Sequence, residues 1–157
     1  SDWENLTGWP LYSRMGGLRH PREQVLGSDV AGVVEQVGDT VTEFKPGDEV
    51  LGDVLYHGKG GFSEYVSVPE KAPLVRKPTA VSFEQAATLP QAAVLALQGI
   101  RHGEGLQAGQ HLLINGAGGG GGTFAIQLAK QLGAEITAVD SAEKFEAAID
   151  ASGSSGH

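Results

Sequence analysis

Residues Leu112 to Gly122 read Leu-Leu-Ile-Asn-Gly-Ala-Gly-Gly-Gly-Gly-Gly and run into Thr123-Phe-Ala-Ile-Gln-Leu-Ala-Lys-Gln-Leu-Gly133. An apolar run, a glycine string and then Phe124, Leu128 and Leu132 at helical spacing predict strand, tight turn and helix. That arrangement can hold a pyrophosphate. The leading N–H groups of a helix have no intrahelical acceptor and its dipole is positive at that end, so main-chain donors can grip phosphate oxygens where no side chain intervenes. Glycines clear the space. Ala117, Gly119 and Gly122 fit a G-x-G-x-x-G fingerprint with alanine in the first place, and Gly116, Gly118 and Gly121 fit it as well. Five consecutive glycines satisfy almost any register, so the flanking strand and helix carry the argument.

Gly133 stands where a helix C-terminal cap is expected, and Glu135-Ile-Thr-Ala-Val139 predicts a second strand ending at Asp140. An acidic side chain about 20 residues past the glycines can accept hydrogen bonds from a ribose hydroxyl. The same residue could instead cap the following helix, with Glu143 closing a capping box. The candidate cofactor-binding residues are thus Gly116, Ala117, Gly118, Gly119, Gly120, Gly121, Gly122, Thr123, Asp140, Ser141 and Lys144. No pattern nominates a catalytic side chain.

Upstream, residues 1–24 carry Trp3, Trp9, Tyr12 and Met15 without a clear period and read as an irregular segment with one short helix. From Val25 the texture changes. A β-rich run from Gly27 to Gly38 ends at a turn, and Val41 to Gly52 follows with Lys45-Pro-Gly-Asp48 as a turn between short strands. A turn from Gly58 to Gly61 then leads into Phe62-Ser-Glu-Tyr-Val-Ser-Val68, with Phe62, Val66 and Val68 on one face. Several short strands at regular spacing predict a small barrel. Beyond Pro78 the pattern becomes helical, with Ser82 as N-cap, an Ala- and Leu-rich run from Phe83 to Leu97, and Pro90 separating two helices. Residues 1–89 and 90–150 therefore read as separate domains. Ser141 to Ile149 can form a helix with Phe145 and Ile149 on one face, and residues 151–157 read as a flexible tail.

Composition excludes several function classes. The 157 residues are 40% hydrophobic, enough for one ordinary core but short for two complete domains. A net charge of −8 repels the phosphates of DNA and RNA, so nucleic acid is not an expected partner. With no cysteine, disulfides, thiolate zinc sites and a cysteine nucleophile are ruled out. No apolar run reaches the ~20 residues that span a bilayer, and Ser-Asp-Trp-Glu-Asn is no targeting pattern, so a cytoplasmic protein without a membrane partner is expected.

Read in order, Gly27-x-Asp29-x-Ala31-Gly32, Gly47-Asp48-x-Val50-x-Gly52, Phe62-x-Glu64-Tyr65, Leu89-Pro90 with Ala96-Leu97-Gln98, and Ile114-Asn115-Gly116-Ala117 to Gly122 with Gln127-Leu128-Ala129-Lys130 form a specific pattern. It resembles the zinc-independent quinone oxidoreductase branch of the medium-chain dehydrogenase/reductase superfamily, over nearly the whole chain up to Lys144. The resemblance implies an α/β chain with a partial GroES-like β-barrel followed by the first βαβ unit of a Rossmann fold, the nicotinamide lying between the two domains. It implies NADPH-dependent reduction of a quinone, enone or related carbonyl compound by a dimer. In such chemistry the cofactor supplies hydride and the protein aligns it and stabilises charge on the carbonyl oxygen.

The zinc-dependent cousins of that family carry histidine then glutamate in the Gly27 region; here Ser28 and Asp29 stand there, and His20, His57, His102 and His111 lack metal spacing, so no metal is expected. His102 and Glu104 read as an exposed loop. Against the family pattern the chain starts late, with Ser1-Asp2-Trp3 matching the end of an Asn-Pro-x-Asp-Trp segment, and stops early. Leu95 stands where the family commonly has threonine near the nicotinamide. Asp29 and Tyr65 match the pattern but read as structural, Asp29 anchoring a turn and Tyr65 facing the core. Lys144 could meet a 2′-phosphate while Asp140 opposes one, so the cofactor is NADP or NAD, with NADPH favoured on the resemblance. The alternative is a truncated, non-catalytic nucleotide-binding or interaction fragment, whose unpaired sheet edges would drive it to dimerise or aggregate.

Overall fold

In the computed structural model, which describes residues 6–7, 25–58 and 60–153, the chain divides into two units, Ser1–Pro90 and Gln91–His157. The tryptophans, Tyr12 and Met15 lie outside the described residues.

In the first unit, β1 (Asp29–Val33) pairs antiparallel with β2 (Glu49–Asp53), which pairs antiparallel with β3 (Leu74–Arg76). The register sets Ala31 opposite Leu51 and Leu51 opposite Val75. Val50, Leu51, Val54 and Ala72 are buried around it. The sheet is an open three-stranded arc, a partial barrel. Two glycine contacts explain motifs read above. Gly27 (φ +91°) and Gly61 lie back to back, with Gly61 N–H donating to Gly27 O at 2.9 Å, and a Cβ on Gly27 would come within 2.8 Å of the Phe62 nitrogen. A Cβ on Gly52 would overlap the Pro73 carbonyl.

Three expectations are corrected here. The segment before the Lys45–Asp48 turn is not a strand, because the N–H groups of Thr42 and Glu43 both donate to Glu70 Oε1, at 2.6 and 2.7 Å, where a ladder partner would otherwise sit. The turn itself forms, with Asp48 N–H on Lys45 O at 3.1 Å and Gly47 at φ +92°. Phe62 to Val68 is not a strand either: the Ser63 hydroxyl bonds both Gly60 O and Tyr65 O, folding the segment on itself. Phe62 and Tyr65 are consequently exposed, Tyr65 at 76%, so Tyr65 does not face the core. The third strand is instead Leu74–Arg76, a run too short to show a period.

Leaving β3, Lys77 turns inward. Its Nζ sits 3.0 Å from Glu49 Oε2, donates to Val81 O at 2.6 Å and Pro78 O at 3.2 Å, and lies 4.9 Å from the centre of the Phe83 ring. A buried ammonium thus ties β2 to the start of α1 (Phe83–Ala86). Ser82 caps that helix in a full capping box with Gln85, as its position predicted. Pro90 follows, ahead of α2 (Ala92–Arg101).

The second unit then runs β4 (His111–Asn115), α3 (Gly120–Gln131), β5 (Glu135–Val139), a 3₁₀ turn (Ala142–Lys144) and α4 (Phe145–Ser152). β4 and β5 are parallel, with Asn115 opposite Val139. Ile114, Ala117, Ile126 and Ala148 form the core, joined by Leu112, Ile136 and Ala138. α3 ends in a Schellman motif: Gly133 (φ +75°) donates to Lys130 O at 3.0 Å and Ala134 to Ala129 O at 3.1 Å. The buried face of α3 centres on Ile126 and Ala129 rather than on the predicted stripe, and Leu132 is 44% exposed. α4 runs through Ser152 and is capped by Gly153 at φ +61°, so ordered helix extends into the segment read as tail.

Candidate functional site

The glycine turn joins β4 to α3 at the C-terminal end of the parallel pair. Gly116 adopts φ +83°, and its N–H and that of Ala117 both donate to Val139 O, at 2.8 and 3.2 Å, locking the turn onto the end of β5. Gly119 is the N-cap of α3 with extended dihedrals, and no side chain caps this end. The first three N–H groups of the helix, of Gly120, Gly121 and Gly122, have no acceptor among the described residues. The dipole and these donors make that end attractive to an anion.

Contacts separate the glycines without singling out one register: Gly116 (φ +83°) and Gly118 of one, and Gly122 of the other, are sterically required. A Cβ on Gly122 would overlap Gly116 O and lie 2.6 Å from Ala117 Cα, so Gly122 is the glycine that permits close packing of helix on strand. That is the third position when Ala117 takes the first. Gly121 has nothing nearer than 3.9 Å. A Cβ on Gly118 would overlap Lys144 O and sit 2.7 Å from Lys144 Cβ, which shows that the 3₁₀ turn lies directly against the glycine turn. A Cβ on Gly120 would lie 3.5 Å from the Cβ of Ala92, an ordinary contact, so the packing of α2 does not require glycine there.

Asp140 joins the two loops. Its Oδ2 accepts the Gly118 N–H at 2.8 Å and its Oδ1 the Ser141 N–H at 2.7 Å and the Ser141 hydroxyl at 3.3 Å. The Gly118 N–H first, then the Ser141 N–H, with smaller help from the Ser141 hydroxyl and the positive charge of Lys144, hold this carboxyl below its ordinary range. The capping-box alternative is overturned: the oxygens take the N–H of Ser141 and Gly118, and α4 begins at Phe145 with Lys144 as N-cap and no side-chain cap. Anchoring the glycine turn is a role the sequence did not suggest. Each oxygen retains acceptor capacity for a hydroxyl. The Thr123 hydroxyl bonds back to Gly120 O at 2.9 Å within the helix. Lys144 N–H donates to Ser141 O at 3.0 Å, and its side chain is exposed. All the candidate residues from Gly116 to Thr123 and from Asp140 to Lys144 therefore gather at one end of the β-α-β unit.

Elsewhere the picture is simpler. Among the described residues, no three of His, Cys, Asp and Glu gather where they could hold a metal. His111 Nε2 lies 3.1 Å from Glu135 Oε2 across the β4–β5 ladder, and His102 and Glu104 are exposed. Leu95, on α2, is 64% exposed. In the first unit a cavity of about 620 Å³ lies along the sheet, and Asp29, Glu64 and Tyr65 share its lining with Val30, Phe44 and Leu74. Among the described residues, no helix is long and apolar enough to cross a membrane.

Residues 1–79 match the alcohol dehydrogenase GroES-like domain. The human NAD(P)H oxidoreductase RTN4IP1, mitochondrial, is 40% identical over 146 residues, covering 90% of this chain and 36% of that protein. The 2-methylene-furan-3-one reductase of Solanum lycopersicum is 40% identical over 136 residues, covering 80% of this chain and 34% of that one. A quinone oxidoreductase structure from Pseudomonas syringae pv. Tomato DC3000 superposes with a TM-score of 0.71 at 41% identity, over 82% of this chain and 39% of that one. The chain thus spans about a third of the length of the curated relatives it matches. The GroES-like match in the first unit and the β-α-β glycine turn in the second agree, and the chain belongs to the quinone oxidoreductase-like members of the medium-chain dehydrogenase/reductase superfamily, with their alcohol dehydrogenase GroES-like domain.

Proposed function

We propose that this chain is part of an NAD(P)H-dependent oxidoreductase that reduces a quinone, enone or related carbonyl compound without zinc. One observation carries the reading: the N–H groups leading α3, which have no acceptor among the described residues, and the Asp140 carboxylate lie at the same end of a parallel β-α-β unit, joined through Gly118. In this reading residues 1–89 form the GroES-like catalytic domain and residues 90–150 begin the nucleotide-binding domain. The names of the relatives, an NAD(P)H oxidoreductase, a furanone reductase and a quinone oxidoreductase, support the reaction class.

The reading that the turn takes a dinucleotide is supported by its sequence, in which Gly118 to Gly122 carry no side chains of their own. Main-chain N–H groups of Gly120, Gly121 and Gly122 would hold the pyrophosphate without adding a counter-charge of their own. Asp140 would accept from a ribose hydroxyl and oppose a 2′-phosphate, Lys144 would offer its ammonium to one, and the family resemblance favours NADPH slightly. Ser141 and Thr123 would border the same nucleotide. When bound, the reduced nicotinamide supplies the hydride. The working form is proposed to be a homodimer.

The test is a titration of the chain with NADPH and NADH, following nucleotide fluorescence and quenching of the two tryptophans. Saturable binding with NADPH somewhat tighter is expected, and no binding by a folded chain would overturn the nucleotide site. Turnover on a simple quinone then separates an active enzyme from a nucleotide-binding fragment.

A further inference from the structure

Asn115 is the last residue of β4 and Gly116 the first of the glycine turn, and both are exposed. An asparagine followed by glycine is chemically distinctive. The backbone nitrogen of the following residue can close a five-membered ring onto the asparagine carboxamide carbon, and glycine, lacking Cβ, opposes that closure least. The chain has two asparagines, Asn5 followed by Leu6 and Asn115 followed by Gly116, so one alone has this neighbour. The fold engages that nitrogen directly: Gly116 N–H donates to Val139 O at 2.8 Å. A peptide N–H held by an acceptor at the end of a sheet is a poor nucleophile, because it must give up that bond and its proton before it can react.

We infer that Asn115 is a deamidation site whose rate is set by opening of the Gly116–Val139 hydrogen bond. In the open state the Gly116 nitrogen loses its proton to hydroxide and attacks Cγ of Asn115. The N–Cγ bond forms, the Cγ–Nδ2 bond breaks, and ammonia leaves with a proton taken from solvent. The cyclic imide then adds one water at either carbonyl, giving aspartate in the normal chain or isoaspartate with the chain routed through the side-chain carbon. No oxidant or reductant takes part. Either product sets a new carboxylate at the mouth of the glycine turn, and isoaspartate also lengthens the backbone by one carbon where β4 meets Val139. The site stands on the dipeptide and its hydrogen bond, whatever the turn binds.

The full chain is incubated in mildly alkaline buffer with and without urea, and position 115 is followed by peptide mapping that resolves asparagine, aspartate and isoaspartate. Conversion at Asn115 with isoaspartate among the products is expected, while Asn5 stays intact over the same period. The folded chain should convert about three- to tenfold more slowly than the unfolded one, the factor a single backbone hydrogen bond supplies. Asn115→Gln, whose extra methylene disfavours the ring closure, should remain unconverted, and Asn115→Asp marks the position of one product. An Asn115 intact in both states, equal conversion at Asn5, or a folded rate matching the unfolded one overturns the inference.

Discussion

At the scale of single residues, the glycine string is not uniform, and substitution separates its members. Gly122→Ala drives a Cβ into the Gly116 carbonyl and to 2.6 Å from Ala117 Cα, both backbone atoms that cannot rotate away. A loss of about 1–3 kcal/mol is expected, read as a lower urea midpoint. Gly121→Ala meets nothing closer than 3.9 Å and lies within a helix, so it should stabilise by about 0.5 kcal/mol. Asp140 carries two predictions. Its folded value lies below the ordinary 3.8, so its contribution to stability is present above that pH and is lost as pH falls through the lowered value. The stability gap between the parent chain and Asp140→Asn, open at neutral pH, should therefore close in strong acid. Asp140→Ser removes a negative charge beside the proposed 2′-phosphate position, and should shift the NADPH/NADH affinity ratio toward NADPH by about fivefold or more. A shift toward NADH would show the electrostatic argument to be wrong.

At the scale of elements, short strands were harder to read than caps and turns, for a physical reason. Ser82, Gly133 and the Lys45–Asp48 turn act through bonds to residues within a few positions, so their chemistry is visible locally. Whether Val41 to Phe44 or Phe62 to Val68 becomes a strand depends on what lies beside it. Glu70, 28 residues from Thr42, supplies a carboxylate in one case, and Ser63 supplies a competing turn in the other. Lys77 is the same lesson in reverse. Lys77, flanked by Arg76 and Pro78 in the chain, has a side chain only 5% exposed that holds β2, the loop and α1 together. Lys77→Met keeps the stem but leaves Glu49, Pro78 O and Val81 O without their donor. A loss of about 2 kcal/mol is expected in thermal or urea unfolding, and Lys77→Arg should recover part of it.

At the scale of the whole molecule, the described strands leave open edges on β1 and β3 of one sheet and on both strands of the other, with Val33, Val75, Leu113 and Val139 exposed along them. Unpaired edges with exposed apolar side chains favour strand addition between copies. Sedimentation velocity should show association that grows with concentration; a monodisperse monomer across the range would count against association through these edges. The sequence by itself determined what is local or periodic: the strand-turn-helix-strand order around Gly116 to Gly122, the break between two helices at Pro90, the helix stop at Gly133, and a family pattern spread over both units. Only the tertiary structure decided which glycines of the string are sterically required, that Asp140 is tied to Gly118 rather than capping a helix, that Lys77 is buried, and that Tyr65 faces solvent. Those outcomes depend on atoms brought together from distant positions, Gly118 and Asp140 or Thr42 and Glu70, and no window of neighbouring residues contains both partners.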